Sequence, residues 1–281
     1  MIPILSPKEI KKIEKKYLSK TDNKDILQIR AAKGISKLIS KENPSKVYIF
    51  FGPGMNGRDG LIAGKLIQKN IGAENVHFIS CIEKNSSKKN LIFSKSKKIN
   101  IKEFDKKSLI GEFKKINHKV IIIDAIIGIS SKGHLRSELS KKIKFLNNLF
   151  KKSDMINIYS LDIPSGFDPE SGSQDKNTFI SDEIIILGSQ LKSSILNPEG
   201  FKNINYVDIG LKRIELKKLN FNLEALTPNI VLKKFPKRAE TLYKNKFGSH
   251  LIVGGSGRYP GAALLCSMSS NKSGTGHTAV S

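Results

Sequence analysis

The chain of 281 residues exceeds one average domain, which predicts one complete domain and part of a second. Its formal charge of +24 raises the question of nucleic acid, but only six of the 49 basic residues are arginines. The lysines are spread over the whole length and Trp is absent, which excludes nucleic-acid binding as the main role. No stretch is long and apolar enough to cross a bilayer, and the start, Met1-Ile2-Pro3-Ile4-Leu5, is too short for a signal-peptide core. A cytoplasmic protein without membrane association is expected. Cys81 and Cys266 stand far apart without a Cys or His at ligand spacing, so neither a disulfide framework nor a zinc site is predicted.

Ser6-Pro7-Lys8-Glu9 has capping-box spacing with Pro at the first helical position, and predicts a helix running to about Leu18. Apolar residues from Ile26 to Ile39 recur at helical spacing and predict a second helix, ended by Asn43-Pro44. Both helices are expected to precede the sheet. The apolar run at 47–51 reads as a strand that passes through G-P-G-M-N-G-R-D-G at 52–60 into a helix reaching Lys69. Further strands are predicted at 76–82, 120–123, 156–161, 183–187 and 206–209, with helices at 109–116 and 138–151. Residues 83–107, rich in Lys, Ser and Asn, read as a solvated connection with a weak helical stretch at 90–96. The fold class is therefore α/β, a Rossmann-like three-layer sandwich with a mostly parallel sheet and helices on both faces.

Ligands in such sheets bind at the carboxyl ends of the strands. Gly52, Gly54 and Gly57 fit G-x-G-x-x-G, whose backbone N–H groups and following helix N-terminus receive a phosphate, although a tight strand-to-helix turn alone also calls for glycine. Asp124 ends the third strand ahead of a polar loop at 128–136, and Asp162 ends the fourth ahead of Ile163-Pro164-Ser165-Gly166. Taken singly, each carboxylate reads as a cap or loop staple. Together, Asn56, Asp124 and Ser165 form a set of hard oxygen donors suited to an ion such as potassium or sodium.

These motifs, G-P-G-M-N-G-R-D-G at 52–60, D-A-I-I-G at 124–128 and D-I-P-S-G at 162–166, resemble the signatures of the NAD(P)H-hydrate epimerases in the same order. The resemblance extends over roughly the first 210 residues, including Lys192 and the closing Val207-Asp208-Ile209-Gly210. It implies interconversion of the R and S forms of hydrated NADH and NADPH, a metabolite repair. It further implies that Met55, Asn56, Gly57, Arg58, Asp59, Gly128, Ile129, Ser130, Ser131, Lys132, Gly133, His134 and Asp162 hold the substrate, with Asp162 as the catalytic acid/base. Potassium would bind Asn56, Asp124 and Ser165, and a homodimer is implied.

The chain departs from the family pattern at several positions. Met55 stands for Asn and Arg58 for Gly in the glycine loop, while Ile29 and Ala32 stand for Glu and Gly in the second helix. These departures leave an inactive or binding-only relative as the alternative reading. An ordinary NAD-dependent oxidoreductase is disfavoured, because Glu83 sits later than the usual acidic residue. Residues 1–222 form the expected epimerase domain, and 223–281 read as an incomplete start of a ribokinase-like dehydratase domain, with a strand and glycine loop at 247–256 and a helix from Gly261. No dehydratase activity is expected, and one strand, one helix and the start of another strand should pack poorly.

Overall fold

The computed structural model describes residues 2–83, 87–114, 116–131, 134–151, 153–201, 203–211, 223–226, 228–235 and 243–281. The chain divides into two compact units, Met1–Thr227 and Pro228–Ser281. The first contains β1 (Ile2–Leu5), α1 (Pro7–Leu18), α2 (Ile26–Lys41), β2 (Lys46–Phe51), α3 (Met55–Ile71), β3 (Val76–Ser80), α4 (Lys89–Ser96), β4 (Ile101–Glu103) and α5 (Lys106–Phe113). It continues through β5 (Val120–Ala125), α6 (Ser137–Phe150), β6 (Ile156–Leu161), β7 (Glu183–Leu187), β8 (Gln190–Leu191), α7 (Ser193–Leu196), β9 (Ile204–Val207) and β10 (Glu224–Ala225).

Seven strands form one sheet in the order β4-β3-β2-β5-β6-β7-β9, and every neighbouring pair is parallel. The chain runs outward from β2 to β4, then returns to lay β5 on the other side of β2. This reversal opens a crevice at the carboxyl ends of β2 and β5, where a doubly wound sheet holds its ligand. The central strands are buried on both faces, while the edge strands β4 and β9 are partly exposed. Val47, Ile49 and Phe51 of β2 join a core with Ile35 and Ile39 of α2 and Ile67 of α3. Tyr48 and Phe50 point the other way, toward Phe113 of α5 and Ile143, Leu146 and Phe150 of α6. Each such apolar side chain contributes about 1.5–3 kcal/mol on burial.

Two glycines set how closely α3 approaches the sheet. A Cβ on Gly60 would lie 2.7 Å from the Cβ of Ala125, and one on Gly64 would overlap Ile49 Cδ1 and the Phe78 ring. Gly64→Ala is therefore expected to destabilise the protein by ~1–3 kcal/mol through overpacking, although Ala is the better helix former. Urea unfolding reads this out, and a stabilised variant would contradict the close approach.

The helix starts follow from local chemistry. Ser6 caps α1 as its spacing predicts: Glu9 N donates to Ser6 Oγ at 3.3 Å and Ser6 N donates to Glu9 Oε2 at 2.8 Å. The Ser6 backbone N–H, followed by hydrogen bonding from Lys192 at 2.9 Å, lowers the Glu9 pKa to about 2. Lys192, singled out in the sequence, thus ties the chain after β8 to α1. The helix expected at 109–116 begins earlier, at Lys106, because Asp105 accepts from Ser108 N at 2.8 Å and acts as its N-cap.

Some elements differ from the sequence expectation. A strand precedes the two leading helices: β1 pairs in parallel with β8 and antiparallel with β10, making a small three-stranded sheet. The 83–107 connection contains the edge strand β4 as well as α4, which occupies Lys89–Ser96. The last large-sheet strand ends at Val207 rather than Ile209, where Gly210 N donates to Asp208 Oδ1 at 2.7 Å and turns the chain. The expected change of domain after residue 222 lies outside the described residues, and the pairing of β10 with β1 carries the first unit on to Thr227.

The second unit comprises α8 (Pro228–Lys234), β11 (Ser249–Ile252), α9 (Gly261–Ser273) and β12 (His277–Val280), with β11 and β12 parallel. Among the described residues, β11, α9 and β12 make one strand-helix-strand turn of chain. In α9 only Ala263 and Ser270 are buried, while Leu264, Leu265 and Met268 are exposed.

Candidate active site

The carboxyl end of β2 passes into Gly52-Pro53-Gly54 and then α3. Gly52 N donates to Ala125 O at 3.1 Å, which fixes the loop to the end of β5. Side chains at two positions would collide with backbone: a Cβ on Gly52 would meet the Ile126 carbonyl, and one on Gly57 would meet the Gly52 carbonyl. Gly54, the N-cap of α3, borders open space instead. Arg58 N donates to Gly54 O at 3.2 Å, closing the first turn. The N–H groups of Met55, Asn56 and Gly57 precede that bond and have no acceptor within the helix, which leaves a positive helix end suited to a phosphate.

Asp124, fully buried at the end of β5, accepts four hydrogen bonds. Oδ1 receives Ile126 N at 3.1 Å and Ser165 Oγ at 2.6 Å, and Oδ2 receives Ser165 N at 2.7 Å and Ser160 Oγ at 3.0 Å. All four donors are neutral. Burial pushes the Asp124 pKa up to about 6, and these bonds offset part of that rise. Ser165 Oγ also accepts from Ile127 N at 2.9 Å, so it joins the β5 and β6 loops. Beside them, Asn56 is 5% exposed, and its Oδ1 and Nδ2 are both buried without a partner. Its side chain lies over Gly128, where a Cβ would come within 2.9 Å of Asn56 Cβ.

A cleft of about 960 Å³ lies at these strand ends. Five carboxylates line it: Glu14 from α1, Asp59 from α3 and Asp162 from the end of β6, together with Asp25 and Glu83. Asp162 adopts a left-handed backbone at φ 61°, and its N–H donates to Ile185 O at 2.9 Å. Burial, followed by the charge of Glu14, raises the Asp162 pKa to about 7, and a backbone hydrogen bond from Leu187 offsets this in part. Burial and the charge of Asp162 likewise push Asp59 upward, against a hydrogen bond from Gln28 Nε2 to Asp59 Oδ1 at 3.1 Å. Burial raises Glu14 as well, and Lys11 lowers it. A carboxyl that changes protonation near neutrality can both donate and accept a proton at working pH.

Met55, Asn56, Arg58, Asp59, Gly128, Ile129, Ser130, Ser131, His134 and Asp162 all line this cleft. Gly57, Asp124 and Ser165 do not; they lie beneath it. Lys132 and Gly133 fall outside the described residues. Met55 is 61% exposed at the mouth. The Arg58 guanidinium is seated 4.4 Å from the centroid of the Phe93 ring on α4, so the residue that replaces Gly is anchored against an aromatic. Sequence reasoning missed Glu14, Gln28 and Asn90. Glu14 falls in a Lys-rich helix and looks like one more surface charge; only its face, shared with Ile10, distinguishes it.

A family model described as YjeF-related protein N-terminus matches residues 24–192, more than half of the chain. The chain belongs to this family. Among curated relatives, a bifunctional NAD(P)H-hydrate repair enzyme of Dictyoglomus turgidum is 26% identical over 286 residues, covering 97% of this chain and 53% of the relative. An NAD(P)H-hydrate epimerase of Entamoeba histolytica is 29% identical over 192 residues, covering 66% of this chain and 78% of the relative. The chain spans about half the length of the bifunctional relatives it matches. The crystal structure of the yeast protein YNL200c has the same fold, with a TM-score of 0.62 at 18% identity, covering 79% of this chain and 96% of that one. The residues matched by the family model contain the glycine loop, Asp124, Asp162 and Ser165. Among the described residues no helix is long and apolar enough to cross a membrane.

Proposed function

We propose that this chain is an isomerase that epimerises the R and S forms of hydrated NADH and NADPH. The observation that carries the reading is the position of Asp162, whose pKa is raised to about 7 in a cleft shared with the first turn of α3. The names of the Entamoeba histolytica and Elusimicrobium minutum relatives, both NAD(P)H-hydrate epimerases, support it. The dinucleotide phosphates are held by the N–H groups of Met55, Asn56 and Gly57, and the hydrated nicotinamide lies toward Asp162. Ser130, Ser131 and His134 contact the rest of the substrate.

Epimerisation requires the hydrated carbon to lose its configuration and regain it. Whether the C–O or the ring C–N bond opens, a proton must move at the hydroxyl oxygen, and it must return from the same group in the reverse sense. Asp162 does this, because near pH 7 both of its protonation states are populated. The charge of Glu14 opposes loss of the Asp162 proton, the charge of Asp162 opposes loss of the Asp59 proton, and Gln28 orients Asp59.

Asn56, Asp124 and Ser165 fit a potassium ion. The Asn56 amide oxygen is buried without a partner, and the Asp124 carboxylate is buried among neutral donors, so a cation would supply both a missing partner and a countercharge. Bound there, potassium would hold the loops after β2, β5 and β6 together. We further place the protein in the cytoplasm as a homodimer; free cysteines at 81 and 266 accord with a reducing compartment.

The test couples the purified protein in potassium buffer to an excess of a stereospecific dehydratase and its nucleotide, and follows recovery of NADH from mixed epimers. Recovery of the epimer that the dehydratase leaves behind is expected, faster in potassium than in tetramethylammonium. Recovery at the uncatalysed rate, with dinucleotide still bound, would identify a binding-only relative instead.

A further inference from the structure

Asn90 is a polar side chain on α4 that is 3% exposed, in a segment otherwise rich in solvated lysine. Its Nδ2 donates to the carbonyl oxygens of both Gly52 and Gly54, each at 2.8 Å. Both acceptors belong to the glycine loop. A Cβ on Gly57 would come within 3.0 Å of this same Nδ2, so the third glycine of the motif makes room for the Asn90 amide. Three residues further along, Phe93 of α4 lies beneath the Arg58 guanidinium. α4 therefore grips the loop and the first turn of α3 at two points.

The consequence is electrostatic. A peptide carbonyl facing an incoming phosphate repels it, whereas a peptide N–H attracts it. The two amide hydrogens of Asn90 engage the Gly52 and Gly54 carbonyls and direct them toward α4. The same peptide planes are thereby fixed so that the free N–H groups at the start of α3 remain available to the cleft. We infer that Asn90 is a positioning residue that presets the glycine loop for the pyrophosphate of a dinucleotide. This rests on the dinucleotide reading above, but not on the epimerase chemistry, since it concerns binding. Asn90 touches neither the cleft nor any reacting atom; it acts through Gly52 and Gly54.

The experiment is calorimetric titration of the full chain with NADPH, which needs no turnover, alongside KM and kcat for the hydrate. Two variants are used: Asn90→Ala removes both donors, and Asn90→Asp keeps the shape while placing oxygen against oxygen. The expected result is NADPH binding weaker by about tenfold or more in Asn90→Ala and weaker still in Asn90→Asp, with the kinetic loss falling on KM. Hydrogen exchange at residues 54–57 should accelerate in both. If Asn90→Ala fails to fold, Asn90→Asp carries the comparison, because its volume is that of the native side chain. Equal NADPH affinity in wild type and a folded variant would overturn the role of Asn90 and leave the dinucleotide reading intact. Absence of NADPH and hydrate binding in the wild type would overturn both.

Discussion

Asp162→Asn is expected to lower epimerisation by about 10²–10⁴-fold while leaving the cleft able to bind dinucleotide. Asn retains the shape and tolerates the left-handed backbone at φ 61°, whereas Ala would add strain at this position. The substitution thus separates chemistry from folding. It also has a pH signature. The Asp162 pKa, about 7 in the folded protein against an ordinary 3.8, is raised, so its contribution to stability is present below about pH 4 and lost as the pH rises through 7. Asn does not titrate. Relative to wild type, Asp162→Asn should therefore gain stability between pH 5 and pH 8, by ~2–4 kcal/mol. Chemical unfolding of both proteins at the two pH values measures the difference. An unchanged gap across this range would mean that Asp162 titrates in its ordinary range and is a poor acid at neutrality. For activity, the same titration predicts a wild-type rate that passes through a maximum near pH 7.

Asp124→Ala is expected to have the largest effect on stability, a loss of ~3–5 kcal/mol. The carboxylate receives four donors, and two of these, Ile126 N and Ser165 N, are backbone groups that cannot turn to find another acceptor. Ser160 Oγ and Ser165 Oγ lose their acceptor as well. Asp124 joins the β5 and β6 loops alongside the Ile127 N to Ser165 Oγ bond, and its own bonds position Ser165, so both loops should loosen together. Denaturant midpoints and hydrogen exchange at residues 126–128 and 165–167 report the change. A loss below 1 kcal/mol would show that Asp124 matters to a bound ion rather than to the loops. Asp124→Asn separates the two roles further: it keeps the volume, but its amide nitrogen opposes a donor and should also weaken stabilisation by potassium.

The parts of this architecture that were legible in the sequence are those in which one local signal dominates. The β2 run enters three glycines and a helix, and each glycine has its own physical cause: Gly52 passes the Ile126 carbonyl, Gly57 clears the Gly52 carbonyl, and Gly54 borders open space. Ser6 and Glu9 likewise define the start of α1 by themselves. The elements that escaped have no periodicity of their own. β1 has four residues including Pro3, and β4 has three at the sheet edge; both are held by tertiary partners rather than by pattern. The same applies to the site. Asp124, Asp162 and Ser165 follow strands and could be placed at their carboxyl ends. Glu14 and Gln28 reach the cleft, and Asn90 reaches the glycine loop behind it, from helices whose orientation is set only by packing. Arg58, which stands for Gly in the glycine loop, stacks on Phe93, a partner 35 residues away that no local rule connects to it.

In the proposed reaction, Asp162 epimerises the hydrated dinucleotide. The most direct measurement starts from one purified epimer of hydrated NADH, with no dehydratase present, and follows the appearance of the other by NMR at pH 7. Wild-type protein is predicted to bring the two epimers to equilibrium far faster than the spontaneous reaction, and Asp162→Asn to approach the spontaneous rate. Wild type and buffer interconverting the epimers equally fast, or wild type and Asp162→Asn accelerating them alike, would contradict the account.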